Sequence, residues 1–333
     1  MDIQQQAALF RQDFDAVFNE IGKVIVGTED VVEGVLLCLF AGGNVLLEGV
    51  PGLGKTMLIR TLSEVLDLPF SRIQFTPDLM PADIIGTNLV QEDADSGQRK
   101  FVFQRGPLFS NLVLADEINR ATPKTQSAML EAMQEKRITA QGKTHELEKP
   151  FFVMATQNPL EMEGTYPLPE AQLDRFLFKL LVRFPSRTEL NEILNRTTNV
   201  ETPTVNKVMD RARLLHWMAF VRSIVVAPHV QDYAIRLLLA SHPDSEFATD
   251  MVKQYVRYGG SPRGAQALIL TAKIKALRAE RFNVAFADIA AVAKNVLRHR
   301  MILNFEGEAE GITSDDIITD MLAKVPREAG VKA

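Results

Sequence analysis

An eight-residue run, GVPGLGKT, extends from Gly49 to Thr56 and contains the residue types that hold a phosphate chain. It fits the template G-x-x-x-x-G-K-[ST] at every fixed position. Its glycines allow the backbone to turn tightly and to direct N–H groups at phosphate oxygens. Lys55 can reach the β- and γ-phosphates, and the Thr56 hydroxyl is a suitable Mg²⁺ ligand. The candidate nucleotide contacts are Gly49, Pro51, Gly52, Leu53, Gly54, Lys55, Thr56 and Met57.

The segments around this loop are those that the motif requires. Asn44–Glu48 is a short apolar run, which predicts a buried strand that leads into the loop. Lys55–Leu66 repeats leucine at helical spacing and predicts a helix, whose N-terminal end favours anionic groups. A strand, a glycine-rich turn and a helix in this order favour triphosphate binding over a chance match in a surface loop.

A carboxylate pair, Asp116 and Glu117, follows the apolar strand predicted at Leu112–Ala115. Carboxylates at the end of a buried strand are costly unless a cation or ordered water uses them. Asp116 is therefore a candidate Mg²⁺ ligand, and Glu117 is a candidate to orient and polarise the attacking water. Aspartate is also a good helix N-cap, but the phosphate loop upstream favours the catalytic interpretation.

Three more polar residues are candidates whose roles the residue types alone leave open. Asn158 ends a predicted strand, where its amide could bind the γ-phosphate or water, although Asn-Pro also forms plain turns. Arg175 precedes the last strand and could reach a neighbouring subunit's γ-phosphate, or pair at the surface with Asp174 or Glu170. Arg263 lies near a helix start, where a cation is disfavoured unless a bound triphosphate or solvent compensates.

Short apolar runs alternate with helical patterns in the first half of the chain, which predicts an α/β fold with a parallel sheet. Phosphates should then lie at the carboxyl ends of the strands. The predicted strands are Asn44–Glu48, Phe70–Phe75, Leu112–Ala115, Phe151–Thr156 and Leu177–Val182. The predicted helices are Val31–Phe40, Lys55–Leu66 and Lys124–Gln134.

Two segments interrupt this alternation, and beyond Pro185 the pattern becomes mostly helical. Asn88–Pro107 has β-friendly arms around an Asp-Ser-Gly turn, and Arg137–Pro150 has similar arms around Gln141-Gly142-Lys143. Both predict hairpins, which could be functional insertions or surface decoration. Beyond Pro185 the apolar spacing is mostly helical. We therefore expect a nucleotide-binding core at 1–185 and a linker with an α-helical lid domain at 186–333.

The composition is typical of a folded globular protein. The chain has 333 residues, of which 46% are hydrophobic and 24% charged, and its net charge is −5. This acidic balance argues against wholesale coating of nucleic acid. The single cysteine, Cys38, lies in an apolar run, which excludes a disulfide framework. A secretory signal and a membrane-spanning stretch are both absent from the sequence pattern, so we expect a soluble, cytoplasmic protein without membrane insertion.

Together these residues resemble the AAA+ ATPases, and most closely the MoxR family in the helix-2-insert branch. Gly49–Thr56 is similar to the Walker A motif of that family, and Leu112–Glu117 is similar to Walker B. The most specific segments are Arg72–Gly86, Ala115–Glu135 and Ala155–Phe176, which are close to the family's own sequence. The resemblance extends over nearly the whole chain, to a C-terminal segment that begins RHRMILNFEGE.

The resemblance implies roles for residues that chemistry alone left open. Asn158 matches sensor 1, Arg175 matches the arginine finger and Arg263 matches sensor 2. Arg263 could contact the nucleotide of its own subunit or that of a neighbour. The hairpins at Asn88–Pro107 and Arg137–Pro150 match the helix-2 insert and the pre-sensor-1 hairpin, which face the pore of related rings. The resemblance also implies a ring, usually a hexamer, with ATP and Mg²⁺ at each interface. Its members remodel, mature or activate client proteins, with von Willebrand factor A domain proteins as partners.

Two other functions use the same motifs. A magnesium-chelatase-like motor subunit would require a chelatase partner. A nucleic-acid-dependent motor would place Lys143 and Arg137 towards DNA, but the acidic charge and the absence of aromatic–basic interleaving argue against it. DNA-stimulated hydrolysis with a steep salt dependence would favour that alternative.

Overall fold

The structure is a computed structural model that describes residues 3–92, 99–140, 142–159, 165–199 and 203–327. The helices of its first half are α1 (Ile3–Gly22), α2 (Glu29–Ala41), α3 (Lys55–Leu66), α4 (Pro81–Ile85), α5 (Pro123–Glu135) and α6 (Glu170–Leu173). The helices that follow are α7 (Arg187–Thr197), α8 (Arg211–Ser223), α9 (Pro228–Ala240), α10 (Asp250–Tyr255), α11 (Pro262–Arg278), α12 (Phe286–Leu297), α13 (Phe305–Ala309) and α14 (Ser314–Lys324). The strands are β1 (Val45–Glu48), β2 (Phe70–Gln74), β3 (Gly86–Glu92), β4 (Arg99–Arg105), β5 (Leu112–Asp116), β6 (Arg137–Ala140), β7 (Lys143–Glu146), β8 (Phe152–Gln157), β9 (Phe178–Leu181), β10 (Val256–Tyr258) and β11 (Ile302–Leu303).

The central sheet is parallel and has the strand order β2-β5-β8-β1-β9. Its register places Gln74 beside Asp116 and Glu48 beside Gln157, so the last residues of neighbouring strands lie together at one edge. The α/β fold with a parallel sheet is confirmed, and the five strands predicted from apolar runs are the strands of this sheet.

Alternating side chains bury both faces of the sheet. In β1, Val45 and Leu47 belong to one hydrophobic core, whereas Leu46 belongs to the core on the opposite face. The first core includes residues of α1, α2 and α3, and the second includes residues of α4 and α5. Helices on both sides explain why these strands are almost uninterrupted apolar runs, as parallel strands usually are.

Both predicted hairpins are present as antiparallel pairs, β3 with β4 and β6 with β7. The predicted Asp-Ser-Gly turn of the first hairpin and Gln141 of the second lie outside the described residues. The ring of Phe103 in β4 stacks on His145 in β7, with centroids 4.7 Å apart. This stack joins the two hairpins to each other.

The second half of the chain is mostly helical, as predicted, and its helices pack against α1 and α2. Trp217 of α8 contacts Phe10 edge-on and donates a hydrogen bond of 2.6 Å from its indole to Asp13. The first hydrophobic core therefore continues from the sheet into α8–α12 and α14. Pro185 lies between β9 and α7, and the domain division there stays a prediction. In the part of the chain that the structure describes, no helix is long and apolar enough to cross a membrane.

The short helices α4 and α6 were not predicted, and neither were two further features. The first is α1, an amphipathic helix that buries Phe10, Phe14 and Val17 at helical spacing. The second is a small antiparallel pair, β10 with β11, within the helical second half.

Candidate functional site

The phosphate-loop segment has the backbone that its sequence predicts. Gly52 and Gly54 have φ angles of +84° and +74°, and a Cβ atom added to either would meet nothing within 4 Å. The loop is thus an open turn whose left-handed residues are both glycine. Gly49 has a different role, because a Cβ there would lie 2.7 Å from the carbonyl oxygen of Val182. Helix α3 begins directly after Gly54, so its unpaired N–H groups face the loop.

A cleft of about 480 Å³ opens beside this loop and contains most of the candidate residues. The residues that line it are Pro51, Gly52, Gly54, Lys55, Thr56, Met57, Arg60, Arg72, Gln74, Asp116, Glu117, Thr156 and Asn158. They come from the loop, from α3 and from the carboxyl edge of the sheet at β2, β5 and β8. The candidates Gly49, Leu53, Arg175 and Arg263 do not line this cleft.

Lys55 extends into the loop, where its Nζ donates a hydrogen bond of 2.6 Å to the carbonyl oxygen of Gly49. Burial lowers the pKa of Lys55, and the charges of Asp116 and Glu117 oppose that shift. A positive group thus lies between the loop backbone and two carboxylates, which is a favourable place for a polyphosphate chain and its metal ion.

Asp116 is held from both sides at the end of β5. The Thr156 hydroxyl donates a hydrogen bond of 2.6 Å to Oδ1 of Asp116. On the other side, Arg72 donates to Oδ2 of Asp116 from Nη2 at 2.7 Å and from Nε at 3.1 Å. The carboxylate is therefore oriented in advance, but an arginine covers one of its oxygens.

Glu117 has a left-handed backbone, with φ of +56°, which is costly for a residue other than glycine. Its N–H donates to the Thr156 hydroxyl at 2.8 Å, so Thr156 links both carboxylate residues. Its Oε2 accepts hydrogen bonds from Gln74 Nε2 at 2.8 Å and from Arg120 Nη1 at 2.9 Å. This backbone places the Glu117 side chain in the cleft, where Gln74 and Arg120 hold its Oε2.

Asn158 lies just beyond β8 and lines the same cleft, although it is largely buried. Leu160 and Glu161, which follow it in the predicted turn, lie outside the described residues. The sequence did not indicate Arg72, Gln74 and Thr156 as site residues. The available signal was their position at or near the ends of strands expected to be parallel, where polar side chains meet at one edge.

Arg175 and Arg263 do not line the cleft. Asp174, the residue before Arg175, is the link between them. Arg263 Nη1 is 3.3 Å from Oδ2 of Asp174, the residue that precedes Arg175. The Ser261 hydroxyl lies 2.8 Å from both oxygens of Asp174. Arg175 is half-buried, and its Nε has no hydrogen-bond partner among the described residues. Asp174 thus brings Arg263 and the backbone of Arg175 together.

A second pocket, of about 290 Å³, adjoins the phosphate loop and shares Gly52, Gly54 and Met57 with the cleft. Its walls are mostly apolar, and Leu53 lines it from the loop side. The other apolar side chains in its lining are Val24, Ile25, Val26, Phe184, Pro185, Leu190 and Ile193. This pocket was not predicted from the sequence, where the apolar run Val24–Val26 was its only signal. Its volume and apolar lining suit an aromatic base.

The residues present therefore fit a nucleoside triphosphate with a hard divalent cation. An open glycine turn, a lysine and a helix N-terminus suit the phosphates, and the apolar pocket suits the base. The Thr56 hydroxyl and the Asp116 carboxylate are the oxygen ligands that Mg²⁺ prefers beside phosphate oxygens.

Comparison with known proteins agrees with this arrangement. Residues 44–178 match the family described as "ATPase family associated with various cellular activities (AAA)", and residues 248–321 match "AAA lid domain". The crystal structure of a candidate ATPase from Cytophaga hutchinsonii superposes with a TM-score of 0.90, at 41% identity, covering 97% of each chain.

Curated relatives extend over nearly the whole chain. Chaperone MoxR1 of Mycobacterium tuberculosis is 42% identical over 93% of this chain and 81% of its own length. The YeaC protein of Bacillus subtilis is 41% identical over 92% of both chains. Protein MoxR of Methylorubrum extorquens is 28% identical over 86% of both chains.

Proposed function

Because the chain belongs to the MoxR family of AAA+ ATPases, we propose that it hydrolyses ATP with Mg²⁺ as a ring and uses that reaction to remodel client proteins. The observation that carries the proposal is the single cleft that unites Lys55, Thr56, Asp116 and Glu117. A nucleotide-binding loop and a pair of carboxylates there supply what phosphoryl transfer to water needs.

In this proposal the cleft residues have separate roles. Lys55 and the loop N–H groups bind the phosphates. Thr56 and Asp116 would hold Mg²⁺, which would neutralise the negative charge that develops on the phosphates. Glu117 accepts a proton from the attacking water and orients it. Asn158 positions the water or the γ-phosphate by hydrogen bonding. The remaining loop residues, Gly49, Pro51, Gly52, Leu53, Gly54 and Met57, shape the loop, and the adjoining apolar pocket receives the adenine.

Arg175 and Arg263 serve a neighbouring subunit in this proposal. Neither lines the cleft of its own chain, and Asp174 connects both of them. In a ring, head-to-tail contacts present one face of each subunit to the cleft of the next. An arginine supplied in this way stabilises the transition state by about 10³- to 10⁵-fold in rate. A hexamer is the expected ring.

Client remodelling rests on the family and on the two hairpins. The relative from Mycobacterium tuberculosis is called a chaperone. The hairpin β3–β4 exposes apolar side chains, of which Phe101 is 77% exposed. Such side chains can contact unfolded segments of many sequences. We propose that the hairpins, coupled through Phe103 and His145, move against a client during turnover, with a von Willebrand factor A domain protein as partner. No feature of the described residues favours the chelatase or nucleic-acid alternatives.

The Glu117→Gln variant tests ATP hydrolysis in this cleft. We expect it to bind ATP with an affinity within a few-fold of the parent, because the amide keeps the size of the side chain. Hydrolysis should fall by at least about 10²-fold, because the general base is lost. Glu131→Gln, an exposed change on α5, is the matched control. Undiminished hydrolysis by Glu117→Gln would contradict the role of Glu117.

Mixed rings test the shared site. Arg175→Ala subunits keep an intact cleft, and Lys55→Ala subunits keep an intact Arg175. Each variant alone should be inactive, whereas their mixture should regain activity at interfaces that combine the two intact halves. Glu117→Gln is a second donor of Arg175, because it retains nucleotide binding for assembly. A mixture that forms rings but stays inactive with both donors would contradict a site completed across the interface.

A further inference from the structure

Arg300 is a buried cation that the proposed chemistry does not use. Its side chain is only 2% exposed, and its Nε donates to Oδ1 of Asp174 at 2.9 Å. Nη1 of Arg300 donates to the carbonyl oxygen of Val296 and lies 2.9 Å from Nε2 of His299. Burial lowers the pKa of Arg300 to about 10, against the opposing charge of Asp174, so the guanidinium stays charged at neutral pH. A charged group in such a place is expensive unless its hydrogen bonds are satisfied.

The remaining hydrogen bonds of Arg300 are directed at the backbone on both sides of Arg175. Nη2 donates to the carbonyl oxygens of Asp174 at 3.2 Å and of Phe176 at 2.7 Å. Nη1 donates to the carbonyl oxygen of Leu177 at 3.2 Å. One planar guanidinium thus binds a carboxylate and three carbonyls within four consecutive residues, and Arg175 is the second of the four.

The second half of the chain is shaped around this contact. A Cβ at Gly264, in the first turn of α11, would lie 3.3 Å from Cδ of Arg300 and 2.9 Å from Leu238. His299 is buried beside Arg300, with its Nε2 3.0 Å from the carbonyl oxygen of Phe176. The turn after α12 therefore binds the backbone of the segment that carries Arg175. Gly264 of α11 allows the Arg300 side chain to pass close to that helix.

We propose that Arg300 is a positioning residue that fixes Arg175 for reaction in the neighbouring subunit's site, and so couples the helical second half of one subunit to hydrolysis in the next. The proposal rests on the proposed function, because it requires that Arg175 act across an interface. Arg300 does not itself touch the nucleotide. It acts by holding the backbone from which Arg175 projects.

The first expected effect is on turnover alone. Arg300→Met should lower kcat, by up to about 10²-fold, the loss that follows when a catalytic group is displaced by about 1 Å. ATP affinity should stay within a few-fold of the parent, because the subunit's own cleft does not contain Arg300. The double variant with Arg175→Ala should be no slower than Arg175→Ala alone. Arg300→Lys should recover part of the loss, because it keeps the charge but not the fork of donors.

The decisive readout is directional, in mixed rings of Arg175→Ala and Lys55→Ala subunits. Arg300→Met placed in the Lys55→Ala subunit, which donates Arg175, should lower the regained activity by the same factor, up to about 10²-fold. The same change placed in the Arg175→Ala subunit should leave that activity intact, because this subunit donates no arginine. A general loss of stability or assembly would reduce activity in both placements. Ring mass and Tm of each mixture verify that the rings have formed.

Arg298→Met is the matched control. Arg298 lies two residues away, is also largely buried, and binds Asp315 at 2.9 Å and the carbonyl oxygen of Lys179 at 3.1 Å. It contacts β9 rather than the Arg175 segment, so it should show no directional effect. If Arg300→Met does not fold, Arg300→Lys takes its place in both arms.

Equal effects in both placements, or additivity with Arg175→Ala, would overturn the role of Arg300. Failure of the parent mixture itself would instead overturn the shared site.

Discussion

Replacing Arg72 by methionine should strengthen the effect of Mg²⁺ on nucleotide binding. Arg72 donates two hydrogen bonds to Oδ2 of Asp116, the proposed metal ligand. A metal ion that uses this oxygen must first displace the guanidinium. The Arg72 side chain is 49% exposed, so solvent screens the pair, and the interaction is worth about 1 kcal/mol. Without it, the metal-dependent part of the binding free energy should improve by the same amount, or about fivefold in Kd.

The assay compares the Kd of ATP with Mg²⁺ and with EDTA, in the Glu117→Gln background so that no nucleotide is consumed. The ratio of the Kd in EDTA to the Kd in Mg²⁺ measures how much the metal ion strengthens ATP binding. The loss of a positive charge at residue 72 affects both Kd values and therefore cancels in this ratio. Arg60→Met is the matched control, because Arg60 lines the same cleft but pairs with Glu64 instead of Asp116. The ratio should rise about fivefold for Arg72→Met and stay constant for Arg60→Met. An unchanged or smaller ratio for Arg72→Met would refute competition for Asp116.

Two further predictions concern the base pocket and the pH dependence of stability. Ile193→Ala should weaken ATP binding by about fivefold, because the base loses apolar contact, without weakening the binding of inorganic tripolyphosphate. Leu194→Ala is the control, because its side chain lies outside the pocket. Equal losses of ATP and tripolyphosphate binding by Ile193→Ala would contradict the assignment of the base pocket. Burial lowers the pKa of Lys136 from 10.5 to about 8, so the unfolded chain binds more protons between those values and stability should rise with pH across that window. Lys136→Met should therefore stabilise the protein at pH 7, by at most about 3 kcal/mol, and the Tm difference from the parent should shrink as the pH rises above 8. A difference that is constant with pH would contradict this.

The fold could be predicted where the pattern is local. The apolar run of β5 and the glycine turn before α3 are complete in the sequence, and both occur as expected. Helix α1 also carried a signal, since Phe10, Phe14 and Val17 recur at helical spacing. The pair β10–β11 had none, because its strands are short and pair across more than forty residues.

The candidate site was predictable in part for the same reason. Lys55 and Asp116 belong to motifs in which the residue types and their spacing predict phosphate and metal binding. The contacts of Arg72 and Gln74 depend on the register between β2 and β5, which is set by packing rather than by either segment alone. The proximity of Arg263 to Asp174 depends on how the two halves of the chain pack together. Sequence spacing cannot give that relation.

The most direct test of the shared site is ATPase activity across a full titration of Lys55→Ala into Arg175→Ala at constant total protein. An interface is active only when an Arg175→Ala cleft meets a Lys55→Ala donor. Random assembly therefore predicts a bell-shaped curve with its maximum at equal mixing, where one half times one half, or about one quarter, of the interfaces are complete. This value does not depend on ring size. Rings that form but show no activity at any ratio would contradict the account.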